Sequence, residues 1–78
     1  MIDLKELARY ENRDEEVEIV CVDGQSIIGI PGEVDDEEDS GLGEPGITIY
    51  LTDGGLVGVG LSEIKSISFV NQPILAVV

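Results

Sequence analysis

The sequence predicts a small, mainly β protein in which one N-terminal helix precedes five short, strongly bent strands that close into a barrel. Three observations predict it. Apolar residues recur at helical spacing only as far as residue 13, and from Val17 onward they alternate with a period of two. Glycine-centred turn signals, Asp23-Gly24 and Asp53-Gly54-Gly55, separate the alternating runs. Further glycines at positions 29, 58 and 60 fall inside those runs, where a strand must bend or pack closely.

The helix is expected over residues 1–13. Ile2, Leu4, Leu7, Ala8 and Glu11 sit near helical spacing, and Asp3 followed three residues on by Glu6 has the pattern of a capping box. Lys5, Arg9 and Arg13 are spaced by four and so share one helix face. Asp14-Glu15-Glu16 then reads as a solvated connection.

The barrel is expected over residues 17–70 of a single domain spanning 1–78. In the first strand Val17, Ile19 and Cys21 face one way and Val20 and Val22 the other. Ser26–Ile30 forms the second, and Pro31-Gly32 either ends it or marks a bulge at an edge. Residues 33–46 hold seven carboxylates among glycines and a proline, the composition of a long, mobile, hydrated loop. Ile47, Ile49 and Leu51 alternate with Thr48, Tyr50 and Thr52 in a third strand, and Leu56–Leu61 forms a fourth. Ser62–Lys65 is a tight turn, and Ser66–Val70 a fifth strand with Ile67 and Phe69 inward. After Asn71-Gln72-Pro73 comes an uncharged tail, Ile74-Leu75-Ala76-Val77-Val78. So small a core has little room for five more apolar residues, so the tail is expected to be an oligomer interface or a sixth strand of its own barrel.

Composition narrows the function. Seventeen carboxylates against four basic residues give a net charge of −13. Nucleic-acid binders gather Lys and Arg to neutralise phosphates, whereas here only Lys65 lies beyond residue 13. With one cysteine and no histidine, one chain can build neither a disulfide framework nor a Cys/His zinc site. Acidic residues at Asp3 and Glu6, where a secretory signal is basic, and the lack of an apolar run near a membrane span point to a cytoplasmic protein.

No motif here carries catalysis, so no catalytic residue, cofactor or metal ligand is assigned. Gly41-Leu42-Gly43-Glu44-Pro45-Gly46 spells a dinucleotide fingerprint, but an acidic run precedes it and a strand follows, so it is a turn. Asp35–Asp39 invites calcium, yet a calcium loop would need glycine and glutamate where Ser40 and Gly46 stand. The many carboxylates lie in predicted loops, not in an apolar cleft that would raise a catalytic acid. Cys21 lies mid-strand without a histidine to activate it, and reads as a buried, inert thiol. Tyr10 and Tyr50 read as packing or interface groups.

A helix followed by five bent strands is the order of a small SH3-like barrel. Within that order, Asp23-Gly24, Gly29 and Asp35 follow a spacing similar to the first Sm motif, and Val57–Ile67 is similar to the second, an apolar strand, a short turn and a strand beginning Ile-x-x-Ile. Over roughly residues 1–70 the chain resembles the Sm-like (LSm/Hfq) family. The resemblance implies an Sm-like barrel and assembly into homo-oligomeric rings by pairing of edge strands. It departs at the RNA pocket: Asp39-Ser40 stands where the family uses an asparagine, and Val59-Gly60 or Gly60-Leu61 where it uses Arg-Gly or Lys-His. The leading expectation is therefore a self-associating scaffold or protein-binding module. The alternatives are an RNA-binding ring that gathers Lys5, Arg9 and Arg13, and a weak divalent-cation-regulated binder using the Asp35–Glu44 region.

Overall fold

Asp3 starts the helix as its sequence suggests: its backbone is extended and its carboxylate accepts the Glu6 N–H at 2.8 Å. In the computed structural model, which describes residues 2–70, the helix α1 is only Leu4–Ala8. This corrects the helix expected over 1–13. Beyond Ala8 the N–H groups of Glu11 and Arg13 reach back three residues, the tighter 3-10 pattern that closes a helix. Asn12 then takes a positive φ of 55° and donates its N–H to the Gly32 carbonyl at 2.9 Å. That long-range bond outweighs a further helical turn.

Five strands follow: β1 Val17–Cys21, β2 Ser26–Asp35, β3 Gly46–Leu51, β4 Leu56–Gly60 and β5 Ile64–Phe69. All neighbours are antiparallel, in the order β4-β3-β2-β1-β5. The expected turns form where predicted. Asp23 and Asp53 each accept the N–H two residues on, from Gln25 and Gly55, and so fold the chain back on itself.

The second strand departs most from expectation. It does not end at Pro31-Gly32 but continues to Asp35 through a bulge, because Pro31 opposes Ile49 while Val34 opposes Ile47. Its first half pairs with β1 and its second with β3, and only Gly29 sits in both ladders, opposite Val17 and Leu51. The far side of the bulged half is closed by the N-terminal segment. Glu11 Oε2 accepts the Val34 N–H at 2.9 Å, and Asn12 bonds Gly32.

The core lies on one face of this sheet. Val17, Ile19, Cys21, Ile47, Ile49, Val59, Ile64 and Ile67 form it together with Ile2 and Leu7 from the N-terminal segment. Leu7 is wholly buried, worth about 2 kcal/mol in transfer free energy. Ile64 and Ile67 are both inward although three apart, because one extra residue in β5, Lys65, interrupts the alternation opposite Val20 and Cys21. Tyr10 lies 5.0 Å from Phe69 between ring centroids and donates its hydroxyl to the Ile67 carbonyl.

The sheet is not closed into a barrel. Among the described residues no ladder joins β4 to β5, so both remain edges. The reason lies in the 3-10 turn between them, Leu61–Glu63. Its first residue donates to the Pro45 carbonyl at 2.8 Å, and its last accepts the Val22 N–H at 2.9 Å. The turn thus carries the chain from the start of β3 to the end of β1, and β5 pairs there. No helix among the described residues is long and apolar enough to cross a membrane.

Gly29 yields the first prediction. A Cβ there would collide with the Tyr50 carbonyl oxygen and lie 2.7 Å from Ile49 Cγ2, whereas at Gly58 it would meet only Leu42 at 3.7 Å. Gly29→Ala should lower urea-unfolding stability by about 3 kcal/mol, and Gly58→Ala by less than about 1 kcal/mol.

Candidate functional site

The two edges of the sheet differ in chemistry. Strand β4, Leu-Val-Gly-Val-Gly, carries no charge and no proline, although 27% of the chain is charged. Proteins usually guard an edge with lysine, proline or a bulge against unwanted pairing. This edge lacks all three. Strand β5 carries Lys65 at its bulge and then presents exposed Ser66 and Ser68.

The acidic loop holds the end of β4 in place. Asp36 Oδ1 accepts the N–H groups of Glu38 and Asp39, and Ser40 Oγ donates to the Glu44 carbonyl at 2.6 Å. The loop expected to be mobile is therefore built from its own side-chain bonds. Leu42 folds back over Gly46 and Gly58, and the Glu44 carboxylate accepts both the N–H and the hydroxyl of Ser62 at 2.8 Å. Glu63 reaches back to the Gly60 N–H at 3.0 Å. Glu44 and Glu63 thus converge on Gly60, where a side chain would strike Glu44. The spacing of Glu63 three residues after Gly60 is a capping signal readable in the sequence. The bond from Glu44 spans 18 residues and has no local signal.

The other singled-out residues are dispersed. Lys5 and Arg9 line a shallow surface depression together with Asp3 and Glu6, so carboxylates alternate with the cations there. Arg13 Nε donates to the Arg9 carbonyl at 3.0 Å. Among the described residues no three acidic or cysteine side chains are grouped to hold a metal ion, and no polar or charged side chain is buried. Gly41 and Gly43 both have positive φ in a turn, and a strand follows instead of the helix a dinucleotide site requires. Residues 74–78, expected to form an oligomer interface, lie outside the described residues.

Cys21 is buried, as expected, but it is the last residue of β1 and not mid-strand. Burial, then the charges of Asp23 and Glu63, push its thiol above the ordinary value. The folded chain therefore holds this proton more tightly than the unfolded one. Its contribution to stability is complete below the unfolded thiol pKa and is lost as pH rises through the folded value. Urea midpoints should accordingly fall above about pH 8.5, and Cys21→Ser should remove that part of the decline. An aromatic disulfide reagent at pH 8 should modify Cys21 at least about tenfold more slowly in native protein than in urea.

No family model, curated protein or solved structure matches this chain.

Proposed function

We propose that the protein is a non-enzymatic, self-associating subunit of Sm-like architecture, serving as a scaffold or protein-binding module. The observation that carries this reading is the unguarded β4 edge at one end of the sheet order, with a second open edge, β5, at the other. A strand edge is a row of unsatisfied N–H and C=O groups, and pairing two such rows satisfies them. Since β4 and β5 are different surfaces, the contact between copies is head-to-tail. A head-to-tail contact closes into a ring or extends as a filament. Barrel closure, absent among the described residues, is then completed by the neighbour's strand.

Charge sets the condition for this assembly. Each copy brings a net charge of −13, so copies repel at long range. Neutral backbone pairing acts at contact and is little affected by salt, whereas the repulsion is screened within about 8 Å at physiological ionic strength. The absence of charge from β4 keeps that repulsion out of the seam itself. The resemblance of Asp23–Asp35 and Val57–Ile67 to the two Sm motifs supports the same arrangement. The cations Lys5 and Arg9, interleaved with Asp3 and Glu6, give RNA no comparable support.

Light scattering at tens of micromolar should give a multiple of 8.3 kDa, and the multiple should persist or grow as salt is raised. A mass of one chain at every concentration and salt would overturn the reading. Val57→Pro and Gly58→Pro, made separately, test the edge. Strand N–H groups alternate in direction, so one of these positions points its N–H away from β3. The variant at that position should stay folded by circular dichroism and lose the assembly. The other should lose a ladder bond and about 2–3 kcal/mol of stability.

A further inference from the structure

The face of the sheet opposite the core is apolar and carries a notch. Tyr50 pairs with Leu56, so their side chains stand together on this face across β3 and β4. They are 50% and 65% exposed. Gly58 lies two residues beyond Leu56, about 7 Å along β4, and shares the face without filling it. From the other side Leu42 reaches over out of the acidic loop. A Cβ at Gly58 would lie 3.7 Å from Leu42 Cδ1 and meet nothing nearer. Leu42, Tyr50 and Leu56, all exposed, thus border a position that is open down to the backbone. Such a contiguous apolar surface marks a contact.

We infer that this notch docks a basic segment of another protein, one that sets an apolar side chain on Gly58 with lysine or arginine to either side. Charge complementarity selects this occupant. Every charged side chain from residue 14 to residue 64 is a carboxylate. Two groups of them border the apolar patch. Glu18 stands opposite Ile28, which is 44% exposed on the same face two residues before Ile30, the other neighbour of Tyr50. Glu37, Glu38 and Asp39 are exposed in the loop that delivers Leu42.

An apolar side chain at the centre supplies affinity, while cations at the rim meet these carboxylates and steer the approach. A second copy of this face, an RNA strand or an anionic bilayer each brings the same sign of charge and is repelled. The docked segment lies on the face of the sheet and leaves the backbone edges of β4 and β5 free. It is therefore additional to the self-association proposed above and does not rest on it.

The probe is a pair of capped peptides of equal charge, Lys-Thr-Lys-Leu-Lys-Thr-Lys and the same peptide with serine for leucine. Each is titrated into the full chain, carrying isotope-labelled leucine methyl groups, at about 150 mM salt. The leucine peptide should bind at least about tenfold more tightly and shift the Leu42 and Leu56 methyl signals. Gly58 has no positive φ, so Gly58→Thr fills the notch without backbone strain and should abolish that advantage. Leu42→Ser should reduce it, and decides the matter should Gly58→Thr unfold. Both variants should keep the scattering mass of the parent, so loss of docking and loss of assembly are read separately. Equal affinity for the two peptides, no binding of either, shifts confined to other leucines, or a folded Gly58→Thr that binds like the parent would each end the inference. So would movement of the Leu42 and Leu56 signals with protein concentration alone, which would make a second copy the occupant.

Discussion

The structure turns on one crossing of backbones. Gly29 is the residue through which β2 passes from the β1 ladder to the β3 ladder, and the Tyr50 carbonyl occupies the space that any side chain there would need. A single residue without a Cβ lets the second half of β2 swing away, and the bulge between Pro31 and Val34 increases that turn. Ile19 on β1 and Ile49 on β3 then converge on one interior.

This bend leaves backbone groups that the sheet itself cannot satisfy, and the N-terminal segment satisfies them. Asn12 and Glu11 bond to the bulged half of β2 exactly where β1 no longer runs beside it. The short helix is therefore less an element in its own right than a strap, held by Leu7 in the core and by Tyr10 against Phe69 and Ile67. Five residues of isolated helix would not persist in water. Tertiary contacts hold these.

The same economy explains the acidic loop. Its carboxylates do not gather around an ion; several accept backbone N–H groups, and Glu44 fastens the loop to the turn that separates the two edges. Negative charge here is partly structural, in bonds from carboxylate to N–H that are stronger than neutral ones. The rest of the negative charge repels other copies of the chain, and in the assembly proposed above the uncharged β4 is where contact is made. In that proposal, edge pairing and mutual repulsion together favour a defined assembly over indiscriminate aggregation.

Much of this was legible in the residues themselves. The alternation of Val17, Ile19 and Cys21 against Val20 and Val22, the turns at Asp23-Gly24 and Asp53-Gly54-Gly55, and the Asp3 cap all follow from local geometry and appear as expected. The unguarded composition of β4 could also be read there. Four features could not: the early end of the helix at Ala8, the continuation of β2 through Pro31-Gly32, the bulge at Lys65 and the clasp of Glu44 on Ser62. Each depends on a partner far away in the chain, such as Gly32 for Asn12 or Ser62 for Glu44. Periodicity and turn chemistry act over a few neighbouring residues, so the sequence alone determined the order and approximate place of the five strands and which face of each is apolar, but not where β2 and β5 begin or end. Whether the sheet closed, and which edges stayed open, depended on long-range hydrogen bonds at Pro45 and Val22, and only the tertiary structure decided that.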